Sequence, residues 1–156
     1  MFKVPTPTDS EIVVALSISS GLFPAEAAEV PAKMMEDYFH QNQREGHRCL
    51  LQYDKSNQPI GVAYLAPVVA TDRVWNLLMI AINESHQGQG FGSKLVDKIE
   101  EDLKESNQRL LLVETSGLPE FEQTRSFYKK LGFTEEARVR DYYEDSNDMI
   151  LFRKEL

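Results

Sequence analysis

A single cysteine, Cys49, among 156 residues rules out an internal disulfide and suits a reducing compartment. Set in Arg48-Cys49-Leu50-Leu51, it reads as a small buried hydrophobe rather than a nucleophile. Three histidines, His40, His47 and His86, are too widely spaced to form a ligand pattern, so no metal is expected. No apolar run is long enough to cross a membrane, and no membrane partner is expected. The first residues carry Asp9 and Glu11 beside Lys3, unlike a secretory or transit leader, and a cytoplasmic protein is expected. Positive charge is also short: 17 Lys and Arg against 25 Asp and Glu leave a net charge of −8. Binding a phosphate backbone requires a basic patch, so nucleic acid is not an expected partner. A surface of this sign suits a cationic amine, although most acidic surfaces only maintain solubility. Repeats, low-complexity tracts and linkers are missing too, and residues 1–156 read as one domain.

What the chain does have is Gln87-Gly88-Gln89-Gly90-Phe91-Gly92-Ser93 between two well-marked elements. Trp75 to Ile82 before it is mostly apolar and of strand length. After it, Leu95, Val96, Ile99 and Leu103 form a helical stripe among charged positions. A glycine-rich turn from strand to helix gathers unpaired N–H groups at the positive end of a helix dipole. Its glycines accept φ > 0 and let a bulky anion approach without meeting a Cβ. The physical reading is a phosphate or pyrophosphate cradle; the plainer one is a helix-entry loop. A P-loop would need Gly-Lys-Ser/Thr after four intervening residues, and a dinucleotide fingerprint would need Gly-x-Gly-x-x-Gly after a first strand. Neither spacing is present. Gln/Arg-x-x-Gly-x-Gly/Ala is matched at every fixed position.

One strand later, Leu110 to Thr115, comes a short helix that closes as Phe127-Tyr128-Lys129-Lys130-Leu131-Gly132-Phe133. Lysines in the last turn and a glycine just beyond are ordinary helix stops. Together the two segments resemble the signatures of the GNAT superfamily of N-acetyltransferases. In that family the first holds the pyrophosphate of coenzyme A and the tyrosine of the second faces its sulfur. The resemblance covers nearly the whole chain, since the expected order is two helices, three strands, helix, strand, helix and two strands. That is an α+β single domain with a mixed, mostly antiparallel sheet flanked by about four helices, with room for a further short N-terminal strand. The predicted elements are a helix from a capping box at Thr8–Glu11 to near Gly21, and a second one carrying Met34, Met35, Tyr38 and Phe39. Strands follow at His47–Tyr53, Pro59–Val68, Val74–Ile82, Thr134–Arg140 and Met149–Lys154.

The resemblance implies an acetyl-CoA-dependent N-acetyltransferase acting on a small-molecule or peptide amine, as a monomer or homodimer. Gln87, Gly88, Gln89, Gly90, Phe91, Gly92 and Ser93 would hold the pyrophosphate. The strand backbone around Ile80 and Ile82 would run beside the pantetheine. A protonated amine cannot attack a thioester until a base takes its proton. Glu114 ends an otherwise apolar strand, where partial burial can raise a carboxyl's pKa and suit a base. Glu84, beside the phosphate loop, is expected in solvent instead. In the ribosomal-protein alanine N-acetyltransferase branch, residues matching Glu114 and Tyr128 are base and acid, and tyrosines matching Tyr142 and Tyr143 wall the acceptor site. The plainer readings make Tyr128 a core aromatic, Glu114 a loop cap and Tyr142 and Tyr143 strand-edge residues. The chain departs from the family at Phe121, where many members carry a coenzyme-contacting asparagine. A catalytically silent coenzyme A-binding module is the competing reading. It would need neither Glu114 nor Tyr128.

Overall fold

The computed structural model describes residues 1–156, and alternation of apolar residues along its strands sorts them onto two faces of one sheet. The strands are β1 (Phe2–Lys3), β2 (Arg48–Tyr53), β3 (Pro59–Pro67), β4 (Val74–Ile82), β5 (Leu110–Ser116), β6 (Thr134–Glu144) and β7 (Asn147–Glu155). They pair in the order β1-β2-β3-β4-β5-β7-β6, all antiparallel except β4 with β5. The mixed α+β sheet is the one expected, with the short N-terminal strand present as β1.

Four helices cover it: α1 (Ser10–Ser19), α2 (Glu29–Asp37), α3 (Phe91–Glu105) and α4 (Glu122–Lys130). The capping box forms earlier than expected, between Thr6 and Asp9, and leads through a short turn, Pro7–Asp9, into α1. The β-prone run Ile12-Val13-Val14 is helical because Val13 and Leu16 are buried where α1 packs on β3 and β4. Tertiary burial outweighs a local preference worth only tenths of a kcal/mol per residue. Helix α2 runs on into one wide turn, Tyr38–Asn42, and its expected stripe buries Met35 and Tyr38, flanked by Met34 and Phe39.

On one face, α1 and α2 pack against Leu51, Val62, Tyr64, Met79 and Ala81. On the other, the apolar stripe of α3 and Tyr128 of α4 pack against Ala63, Leu65, Leu77, Leu111, Val113 and Phe152. Lys154 of β7 ties both helices down on this second face. Its Nζ lies 2.6 Å from the buried Glu100 carboxylate of α3 and donates to the Leu131 carbonyl at the end of α4. Since α1 lies over β3 and β4, Leu112 and Leu151 on the far strands of the first face stay only half-buried.

Two irregularities position the site. Parallel pairing of β4 with β5 ends at Leu77 and Val113, although β4 continues to Ile82 and β5 to Ser116. The β3–β4 register also slips, pairing Tyr64 with Met79 but Leu65 with Leu77, so Leu78 has no partner. Such a bulge bends and twists the strand that carries it. Here it coincides with the point where β4 and β5 separate, leaving a split in the sheet.

Candidate active site

The split opens into a cavity of about 640 Å³. Ile80, Ile82, Gln87, Gly88, Gly90, Gly92, Ser93, Glu114 and Tyr128, all expected at the site, share its lining. A smaller cavity of about 230 Å³ beside Cys49, Arg48 and Leu103 holds none of them.

The glycine loop has the geometry that its composition predicts. Gly88 and Gly90 adopt φ of 72° and 83°, in the left-handed region, and Gly90 is the cap from which α3 starts. No N–H from Gly88 to Ser93 has an acceptor within the protein; the next, of Lys94, donates to the Gly90 carbonyl at 3.1 Å. A run of unpaired donors at a helix's positive end is a cradle for an anion. Gly92 allows a close approach between helices, since a Cβ there would lie 3.3 Å from the Phe127 ring. The Gln87 side chain is otherwise engaged: its Nε2 donates to the carbonyls of Ser20 (3.0 Å) and Ile82 (2.8 Å). It braces the loop after α1 against the end of β4. Gln89 and Phe91 contribute no side chain to the cavity wall. Gln89 bonds the Ser85 carbonyl, and Phe91 meets the His86 ring edge-on at 5.7 Å.

Tyr128 belongs both to the core and to the cavity wall. Only 3% exposed, its ring packs within 5.2–5.7 Å of Phe127, Phe133 and Phe152, yet it also forms part of the cavity wall. Burial alone raises its pKa well above the usual phenol value, so it is protonated throughout the neutral range. Arg125, one turn earlier, donates from one nitrogen to the carbonyls of Ser116 and Leu118, both at 2.8 Å. That bond pair fixes the start of α4 to the end of β5.

Glu114 stands at the same split but from the other face. Val113 belongs to the core under α3 and α4, so its neighbour points towards the α1 and α2 side. It is exposed rather than partly buried, because no helix covers β5 on that side. Tyr142 and Tyr143 lie in a wide bulge of β6, between the pairs Val139–Met149 and Glu144–Asn147. Asp148 secures the bulge, accepting from Arg138 at 2.6 Å and from the Asp141 N–H at 3.0 Å. The two tyrosine rings meet edge-on at 5.0 Å. Neither lines the cavity; their bulge begins at Val139, level through Met149 with Ser116 at the end of β5, and partial burial first, then the Glu114 charge, raises the Tyr143 pKa.

Glu84 is exposed, as expected. Phe121 caps α4 and lines the cavity, with Glu120, Gln123 and Thr124 beside it. Sequence reasoning missed Ser20, Gly21 and Leu22, which reach the cavity from the loop after α1, and also Leu78. Only the glycine at position 21 offered a signal for the first group. Leu78 sits in an unbroken apolar run, where no alternation marks a bulge.

A model of the acetyltransferase (GNAT) family matches residues 16–133. The chain belongs to the GNAT acetyltransferase family. Among relatives, this GNAT chain is 35% identical over 100 residues to the ribosomal protein bS18-alanine N-acetyltransferase of Haemophilus influenzae. That match covers 64% of this chain and 64% of the relative, so it spans less than two thirds of the relative's length. A crystal structure of a GNAT-family protein from Desulfovibrio desulfuricans superposes with a TM-score of 0.90 at 29% identity, covering 99% of this chain and 98% of that one. An aminoglycoside 6′-N-acetyltransferase solved with coenzyme A shares the fold at a TM-score of 0.80 and 14% identity, over 99% and 96% of the two chains.

Proposed function

We propose that this GNAT protein transfers an acetyl group from acetyl-CoA to a primary amine by direct attack within a ternary complex. The observation that carries the reading is a single cavity joining three things. These are the unpaired N–H cradle, a buried phenol on the α3 and α4 face, and a free carboxylate on the opposite face. The co-substrate supplies a thioester. The N–H groups of Gly88 to Ser93 suit its pyrophosphate, with no metal needed to hold it. Beyond Leu77, around Ile80 and Ile82, β4 keeps β3 on one side but has no strand on its β5 side, and that open edge suits the amides of an extended arm.

Cofactor and amine then meet across the split from opposite faces. Glu114, directly or through water, takes a proton from the amine. The nitrogen lone pair forms the new bond to the acetyl carbon, the C–S bond breaks, and its electron pair leaves on sulfur. Tyr128 donates its hydrogen bond, and then its proton, to that sulfur, and the second proton, shed by the new amide nitrogen, passes through water to restore the phenol. Burial weakens a phenol as an acid, but the same desolvation raises the proton affinity of the departing thiolate, so transfer between them is not opposed by burial itself. A silent binding module would need neither group at the split. A covalent route through Cys49 has little support, because burial raises its thiol pKa to about 12. Initial rates measured while varying acetyl-CoA and an amine decide the order of events. Intersecting double-reciprocal lines are expected; parallel lines would indicate an acetyl-enzyme and overturn direct transfer.

A further inference from the structure

The two faces of the split differ in what surrounds them, and the difference concerns the acceptor. Among the large apolar side chains that stand exposed, several lie at the end of the sheet where the split opens, although they come from distant parts of the chain. Leu22 (46% exposed) comes from the loop after α1, and Leu78 (58%) from the bulge of β4. Both line the cavity. Tyr142 (51%) and Tyr143 (46%) come from the bulge of β6, which begins level with Ser116 at the end of β5. Exposed apolar groups gathered at one mouth mark a surface that meets an apolar partner. The charged groups of the cavity wall are carboxylates, Glu114 and Glu120, with no lysine, arginine or histidine among them. Of the neighbouring acids, Asp141 and Asp148 are engaged in the hairpin's own hydrogen bonds. Glu120 sits in the turn before α4, so Glu114 is the carboxylate that the sheet itself brings to the wall, which it shares with Leu22 and Leu78, while the two tyrosines stand exposed at the same end of the sheet.

We propose that the acceptor is a singly charged primary amine carrying an apolar group within a few bonds of its nitrogen, selected by Leu22, Leu78, Tyr142 and Tyr143. This rests on the acetyl-transfer reading of the site. The aromatic faces suit both the cationic head and an apolar substituent. A polyamine or an aminoglycoside would bring further charges or hydroxyls to a rim that offers them aliphatic carbon, leaving those groups poorly solvated. The same chemistry is found in a free arylalkylamine and in a peptide N-terminus with an apolar second residue.

Release of free coenzyme A from the full chain, measured with a panel of amines, tests the assignment. The panel is 2-phenylethylamine, the dipeptide amide of alanine and phenylalanine, ethanolamine, spermidine and kanamycin. We expect kcat/KM for one of the first two to exceed that of each of the others by at least about tenfold, with the better of the two telling small amine from peptide. Leu78→Ser should lower the ratio of phenylethylamine to ethanolamine turnover at least about fivefold. Spermidine or kanamycin as the best acceptor, or a flat ranking, would overturn the assignment while leaving acetyl transfer intact. No turnover with any amine, while acetyl-CoA still binds by calorimetry, would overturn the acetyl-transfer reading and the acceptor class with it.

Discussion

The glycine-loop end and the Glu114 end of the cavity are built from different materials. At the glycine-loop end, one continuous segment from Gly88 to Ser93 presents unpaired backbone N–H groups, and the side chains of Gln87, Gln89 and Phe91 are engaged elsewhere. At the Glu114 end, side chains from the loop after α1, from β4 and from β5 share one wall although they lie far apart in the chain. A site made of backbone is constrained by glycine spacing, because only certain residues allow the required φ. A site made of side chains can change its lining without disturbing the fold.

The largest effect is expected where the two ends meet. Tyr128→Phe removes one hydroxyl and leaves the ring packed against Phe127, Phe133 and Phe152. kcat should fall roughly ten- to a thousandfold with KM for acetyl-CoA nearly constant, since the lost bond strengthens mainly in the transition state. A loss below about threefold in steady-state assays would return Tyr128 to the core alone. Its raised pKa also fixes a sign: the phenol keeps its proton beyond the usual value near 10, so any fall in wild-type rate between pH 8 and 10 must come from another group.

Next in size is the backbone end. Gly90→Val meets no protein atom within 4 Å of the new Cβ, so its effect comes from forcing a β-branched residue to φ of 83° at the cap of α3. Acetyl-CoA affinity measured by calorimetry should drop at least about tenfold, on the order of 1.4 kcal/mol. Unchanged affinity in a folded variant would separate the loop from phosphate binding.

Glu114→Gln should have the smallest effect, because this side chain is exposed and water can share its work. The acid limb of the pH–rate profile should flatten, and the loss should shrink at high pH as free amine becomes abundant. Reduced thermal stability with an unaltered pH profile would make Glu114 a structural cap.

Legibility in the sequence followed the same division. The strand Val74–Ile82 was readable to the residue, and the glycine loop was readable because its spacing is set by backbone conformation. Tyr128 was readable as a pattern, but not as a residue that is core and cavity wall together. The bulge at Leu78 was hidden, since Leu77 to Ile80 is apolar throughout and a register slip depends on the partner strand. Leu22 was hidden for another reason: proximity across a fold leaves no mark on local composition. Strand β6 outran its predicted end at Arg140 because its last residues bulge away from β7 and pair again only at Glu144.

The short seam between β4 and β5 gives the molecule a mechanical character. Strands β1 to β4 form one plate and β5, β7 and β6 another, and the strand pairing that joins them runs only along Val74–Leu77 against Leu110–Val113. Beyond that stitch the plates diverge like the leaves of a partly opened book. An extended ligand lying along β4 would fill the place of the missing rungs, lengthening the seam and stiffening the joint. Loading would then be an act of assembly, in which the small molecule completes the sheet that holds it.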